Sequence, residues 1–154
     1  MDNRKIPRRY IPTGLSKRDS MKQRRGIVRS RKSYMKGVYV NRPHVSSFVS
    51  KSSPHIVRAT NLYGVPTMQP TPALARATGC KKSVLEKIIN KGEGAYYSSG
   101  SRPNQSAQSW GYARLGSALT GGPASQVDYK LLQKGCTRRS VALKNANKTR
   151  RVGK

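Results

Sequence analysis

The apolar residues in the middle of the chain are spaced as in short helices. One run starts near Lys82 and repeats with helical periodicity; its members are Val84, Leu85, Ile88 and Ile89. We expect Gly92 to end this helix. The same pattern, with Gly and Pro as boundaries, predicts helices over 72–78, from 105 or 106 to about 119, and from Pro123 to about 134.

These helices are predicted to form one small core within residues 68–136. The residues expected at its centre are large and apolar: Trp110, Leu85, Ile88, Leu115 and Leu131. The predicted fold class is therefore mainly α.

A further helix is predicted near the N-terminus, over about 17–36. Ser16 followed by Asp19 fits a capping box, and Gly37 is placed to end the helix. Its apolar stripe is loose and basic residues surround most of its circumference. We expect it to form against a partner.

Four regions follow from this pattern. Residues 1–45 are a basic arm that contains this helix, and residues 46–67 an extended linker containing Ser and Pro. Residues 68–136 are the small helical domain, and residues 137–154 a basic tail. Scattered apolar anchors in 38–66 suit a groove on another protein.

The charge of the chain requires a partner of opposite sign. Thirty-two Lys and Arg face five acidic residues among 154, a formal charge of +27. Only 34% of residues are apolar, below the roughly 45–50% of ordinary domains. Nucleic acid, an anionic membrane surface or acidic protein faces could supply the counter-charge.

Catalysis is not expected from this composition. The two histidines lie in Ser-rich chain, and no phosphate-binding loop or dinucleotide fingerprint occurs. We expect no cofactor, metal, small-molecule substrate, transmembrane segment or secretory signal. Cys80 and Cys136 are interpreted as buried thiols at helix ends, with a disulfide left open.

Residues 92–105 form the most distinctive stretch, Gly-Glu-Gly-Ala-Tyr-Tyr-Ser-Ser-Gly-Ser-Arg-Pro-Asn-Gln from Gly92. We predict a loop that clips two helices together. The alternative is a ligand contact, in which Tyr96 and Tyr97 stack on a base.

Arginines in the basic clusters are the candidates for contact with phosphate or an acidic partner, because the guanidinium fork suits both anions. They are Arg8, Arg9, Arg24, Arg25, Arg29, Arg31, Arg102, Arg138 and Arg139. No motif for base readout is present.

Five stretches resemble an uncharacterised family of short basic proteins encoded by large double-stranded DNA viruses of algae and amoebae. They cover much of residues 8–136: 10–23, 31–39, 42–48, 91–105 and 109–115. The resemblance implies viral origin. It also suggests similarity to minor capsid proteins of chlorella-type viruses.

On this basis we expect a virion structural protein, made in the host cytoplasm and placed on the inner face of an icosahedral capsid. Its basic arms would staple capsomers by contacting major and minor capsid proteins, with the dsDNA genome as a further possible partner. The alternatives are a histone-like protein that condenses the packaged genome, and a ribosomal or other ribonucleoprotein component.

Overall fold

The computed structural model describes residues 5–153, and the mainly helical class is confirmed. A short 3-10 turn at Arg8–Tyr10 precedes helix α1. The helices that it describes, in chain order, are α1 (Lys17–Met35), α2 (Pro54–Tyr63), α3 (Pro72–Thr78), α4 (Lys82–Ser98), α5 (Ala107–Leu119), α6 (Pro123–Val127), α7 (Tyr129–Gly135) and α8 (Val141–Val152). The first four residues of the predicted arm and the last residue of the predicted tail lie outside this description.

Helix α1 confirms the predicted N-terminal helix and Ser16 as its N-cap, but the second half of the predicted capping box is replaced by a bond from the Ser16 N–H to Ser47 Oγ. The Ser16 hydroxyl accepts a hydrogen bond from the Asp19 backbone N–H at 3.1 Å. Gly37 follows the helix with φ +78°, a left-handed conformation that glycine adopts at little cost. Local capping therefore determines both ends of α1.

The chain divides into two compact units. Unit 1 comprises residues 1–51 and 93–110, and unit 2 comprises residues 52–92 and 111–154. Unit 1 has sixteen basic and three acidic residues, a formal charge of +13, and unit 2 has sixteen and two, a charge of +14. The positive charge is thus divided almost evenly between the units.

Unit 2 contains most of the buried aliphatic side chains. Leu85, Ile88 and Leu115 are fully buried there, as predicted, and Leu131 is half-buried against the same cluster. Trp110 instead belongs to unit 1, where its ring meets the Tyr10 ring edge-on at 5.8 Å. The prediction of one core containing all five residues is therefore wrong for Trp110.

Helix α4 is longer than the sequence predicted. It continues through Gly92 to Ser98, so only the second part of the predicted 92–105 loop is a loop. A Cβ at residue 92 would lie 2.6 Å from the Gly111 Cα, which shows that Gly92 permits close packing of α4 on α5. The glycine that was expected to end the helix is instead a packing position.

Two segments outside the predicted domain are also helical. Pro54–Tyr63 form α2 within the predicted extended linker, and Pro54 takes the first position of that helix. Val141–Val152 form α8 in the predicted tail, with Ser140 as its N-cap. Ala142, Leu143 and Ala146 of α8 are buried in the core of unit 2. Both segments are thus packed helices, which corrects the predicted boundaries of the domain.

Cys80 and Cys136, both in unit 2, form a disulfide across an isolated antiparallel bridge. Their Cα atoms are 3.8 Å apart. The Lys81 N–H donates to the Gly135 carbonyl, and the Thr137 N–H donates to the Gly79 carbonyl, each at 2.8 Å. The interpretation of these cysteines as two buried thiols is therefore wrong, because a disulfide joins the segment before α4 to the end of α7.

Candidate nucleic-acid interface

One face of α1, together with its C-cap residue Lys36, carries a row of six exposed cations, which we call the cationic stripe. They recur at alternating intervals of four and three residues: Arg18, Lys22, Arg25, Arg29, Lys32 and Lys36. Residues three and four apart are neighbours on a helix, so the row follows one side of it. At a rise of 1.5 Å per residue it extends for about 27 Å.

The opposite face of α1 is buried and largely polar. It presents Asp19, Gln23, Ile27, Ser30 and Arg31 to the interior of unit 1. Gln23 Nε2 donates to the carbonyls of Tyr10 and Ser101, at 3.1 and 3.2 Å. Because the buried face is held by such specific bonds, the rotation of α1 is fixed and the stripe faces outward.

A groove runs between the stripe and the extended segment 40–43. Its volume is about 800 Å³. The helix side of the groove includes Lys17, Arg18, Lys22, Arg25 and Arg29. The Lys22 Nζ donates to the His44 carbonyl at 2.8 Å and ties the two walls together.

Arg42 holds the second wall of the groove. Its Nη1 donates to the Tyr96 carbonyl at 2.7 Å and to Ser30 Oγ at 3.2 Å, and its Nη2 donates to Ser101 Oγ at 2.6 Å. Burial lowers the pKa of the Arg42 guanidinium, although an arginine in a protein remains charged. Arg42 therefore adds positive charge at a fixed position beside the groove.

The stripe destabilises α1 unless an anion is present. It contains five pairs of like charge at spacings of three or four residues. Each such pair costs about 0.2–0.5 kcal/mol, so the repulsion is roughly 1–2.5 kcal/mol in all. A counter-anion bound along the stripe would remove this repulsion.

Two buried carboxylates, Asp19 of α1 and Asp128 of unit 2, already have hydrogen-bond partners within the protein. The Asp19 carboxylate accepts from the Ser47 N–H at 2.8 Å and from the Ser47 hydroxyl at 2.6 Å, and these bonds lower its pKa. The Asp128 carboxylate accepts from both Arg114 Nε and Arg114 Nη2, at 2.9 and 2.8 Å, and this pairing raises the pKa of Arg114. Neither carboxylate is available to the stripe.

Most of the predicted contact arginines are exposed, and they are distributed over both units. Arg24, Arg25 and Arg29 lie on exposed positions of α1, and those exposed elsewhere are Arg8, Arg9, Arg102, Arg138 and Arg139. Arg31 is different, because it is buried and its Nε donates to the Ser99 carbonyl at 2.8 Å. Burial and this internal bond set Arg31 apart from the exposed candidates, and we do not include it in the proposed contact surface.

Four cations of the groove were missed from the sequence: Lys17, Arg18, Lys22 and Arg42. They lie outside the clusters of arginines that supplied the predicted contact residues. The alternation of four and three residues from Arg18 to Lys36 was available as a signal.

The remaining loop, 99–106, has an internal structural role. Asn104 has φ +62°, its Oδ1 accepts from the Val45 N–H at 2.8 Å, and its Nδ2 donates to the carbonyls of Val45 and Phe48 at 3.0 and 2.9 Å. These bonds fasten the loop to the 45–48 segment within unit 1. The contacts favour a structural clip over a ligand loop.

Within residues 5–153, no cluster of three or more His, Cys, Asp or Glu could hold a metal ion. No helix in that range is long and apolar enough to cross a membrane.

Fold and surface define a small helical protein with an exposed cationic groove. The chain belongs to DUF5824, a family of unknown function, whose model matches residues 7–129. The match confirms the expected membership of an uncharacterised family, while viral origin stays an expectation. No curated protein and no solved structure matches the chain.

Proposed function

We propose that the protein binds the sugar-phosphate backbone of nucleic acid, independently of sequence, through the groove beside α1. The cationic stripe is the observation that carries this proposal. Its six charges repeat at about one helical turn, are exposed, and lie on a helix whose rotation is fixed by buried bonds. An elongated polyanion matches such a row better than a compact anion does.

Duplex nucleic acid is a suitable ligand for this surface. An α-helix is about 10–12 Å in diameter, and the B-DNA major groove is about 12 Å wide, so α1 can approach phosphates along a groove edge. Neutralisation of up to six phosphates by the stripe predicts a slope of log K against log salt of about −5. No base-reading motif was found, so affinity should vary little with sequence.

Catalysis forms no part of this proposal, since binding through phosphate contacts requires no titratable acid–base pair.

The expectation of a virion protein from a dsDNA virus is compatible with this binding function. Capsomer stapling relied on extended arms, and the predicted C-terminal tail instead forms the packed helix α8. Charge and geometry therefore favour the packaged genome over capsid proteins as the partner. If the protein is a virion component, it should leave with the genome when particles are opened, and retention on emptied shells would instead favour capsid stapling.

Fluorescence anisotropy with a labelled duplex of about 30 base pairs tests the proposal at salt concentrations from about 50 to 200 mM. The test variant replaces Arg18, Lys22, Arg25 and Arg29 with Gln. Loss of four phosphate contacts should make the salt slope shallower by about 3–4.

A matched control loses the same charge elsewhere. It carries Arg58→Gln, Arg76→Gln, Lys81→Gln and Lys87→Gln, all at exposed positions of unit 2. Its slope should change by less than half as much. Equal changes in both variants would mean that net charge, and not the groove, governs binding, and absence of binding by the wild type would end the proposal.

A further inference from the structure

We infer that unit 2 carries a second phosphate-binding surface on α8, so that one chain bridges two nucleic-acid segments. This inference rests on the proposed function, because it assigns a second site to the same class of ligand. It goes further in that it predicts cross-linking, which a protein with one binding surface cannot perform as a monomer.

The geometry of α8 repeats that of α1. Lys144, Lys148 and Arg151 are exposed and recur after four and three residues, as the stripe residues do. Ala142, Leu143 and Ala146 are buried on another face of the helix. The buried face fixes the rotation of α8, so the three cations are presented to solvent together.

A cleft of about 360 Å³ lies along this surface, lined by Lys144, Asn147, Arg150 and Arg151. The guanidinium of Arg150 lies over the Tyr129 ring, 4.3 Å from its centroid. The Tyr129 hydroxyl donates to Asn147 Oδ1. These contacts limit the freedom of Arg150, so less entropy is lost when its fork binds a phosphate.

The acids of unit 2 do not neutralise this surface. Asp128 is buried against Arg114 and Lys91, and Glu86 lies 3.9 Å from Lys82 on α4. The pairs Lys144–Lys148 and Lys148–Arg151 therefore repel each other, as the stripe residues do. As on α1, an external polyanion would relieve this repulsion.

Two exposed surfaces on two different units give the chain two points of attachment. Occupation of one surface brings the other to a high effective concentration near neighbouring strands. Bridging then requires no self-association of the protein and no contact beyond the two surfaces.

A bead assay tests this inference. Duplex DNA of about 30 base pairs is fixed to beads, the full-length oxidised protein is added, and recovery of a second, labelled duplex is measured at about 50 mM salt. The wild type should recover the labelled duplex. The variant with Lys144, Lys148 and Arg151 replaced by Gln should still bind the beads but recover at least about tenfold less of it.

The matched control replaces Arg76, Lys81 and Lys87 of unit 2 with Gln, and it should bridge like the wild type. Circular dichroism checks that each variant is folded. An Ala146→Ser variant, which alters the buried face and not the charge, should also bridge if it remains folded.

The outcomes separate the two proposals. If the wild type binds the bead duplex but recovers none of the second, bridging is refuted and the proposed function stands. If the α8 variant bridges as well as the wild type, the second surface is refuted, and cross-linking must then come from association between copies. If the wild type binds no duplex at all, both proposals fail.

Discussion

Arg42 lies with its guanidinium carbon 3.7 Å from the centroid of the Tyr96 ring, and the same side chain donates to the Tyr96 carbonyl. The Tyr96 hydroxyl in turn accepts from the Arg42 backbone N–H at 3.2 Å. The pair connects the wall of the groove to the end of α4 within unit 1. Arg42, which has no special signal in the sequence, therefore stabilises the packing of unit 1 through its contacts with Tyr96.

Replacement of Arg42 by Ala should destabilise unit 1 by about 2–3 kcal/mol. The reason is that the Tyr96 carbonyl and the Ser30 and Ser101 hydroxyls each lose a charged hydrogen-bond donor. Arg42→Lys should recover only part of this, because an ammonium lacks the planar fork. The single Trp of the chain, Trp110, lies in unit 1, so its fluorescence during urea unfolding reports the change. The exposed Arg24→Ala should change the stability by no more than about 0.5 kcal/mol, and an equal effect of both variants would contradict this role of Arg42.

Gly92 and Gly94 should respond in opposite directions to alanine. Gly92→Ala places a methyl group 2.6 Å from the Gly111 Cα and should destabilise the protein by about 1–3 kcal/mol. At Gly94 the nearest atom is the Tyr34 hydroxyl at 3.8 Å, so alanine should gain up to about 1 kcal/mol from helix propensity. Thermal unfolding of both variants measures the difference, and a stabilised Gly92→Ala protein would disprove the close packing of α4 on α5.

Reduction of the Cys80–Cys136 disulfide should weaken unit 2. The two residues are 56 apart in sequence, and release of a loop of that size costs about 4 kcal/mol in the chain-entropy model. The melting temperature should therefore fall when a reductant is added. The melting temperature of the Cys80→Ser, Cys136→Ser variant should not change when a reductant is added. Two reactive thiols in the wild-type protein, unfolded without reductant, would refute the disulfide.

Asp19 should make the stability of unit 1 depend on acidic pH. Hydrogen bonds from Ser47 lower its pKa in the folded protein. The stabilisation is therefore complete above the unfolded pKa of about 3.9 and is lost as the pH falls through the lower, folded value. Asp19→Asn should be less stable than the wild type at neutral pH, and the difference should shrink as the pH falls from the unfolded value through the lower, folded value. A constant difference between them over this range would rule out the titration of Asp19.

Local signals in the sequence predict some of the helices. They do not predict the helices whose formation depends on packing against the rest of the chain. Ser16 and Gly37 define the ends of α1 because their capping involves only neighbouring residues. Helix α2 does not follow from the sequence pattern, because proline disfavours a helix interior whereas Pro54 occupies the first helical position, where proline is favoured. Helix α8 was missed because its buried face is mostly alanine, which contributes little to a hydrophobic pattern.

The site could be predicted in kind but not in detail. The charge of the chain predicts an anionic partner, and the structure shows that Arg25 and Arg29 are exposed; their contact with such a partner stays a prediction. Arg31 was not separated from them, although it follows Ile27 by four residues and so shares the buried face of α1. The role of Arg42 depends on contacts with residues more than fifty positions away, which no local pattern reveals.

The repulsion along α1 gives dissolved electrolyte two opposing effects on this protein. Ions screen the six charges from one another, so moderate ionic strength should stabilise the free chain. The same ions compete for the phosphate contacts and should weaken the complex. The ionic strength that best stabilises the free protein is therefore one at which its affinity for nucleic acid is low and binding is hard to detect.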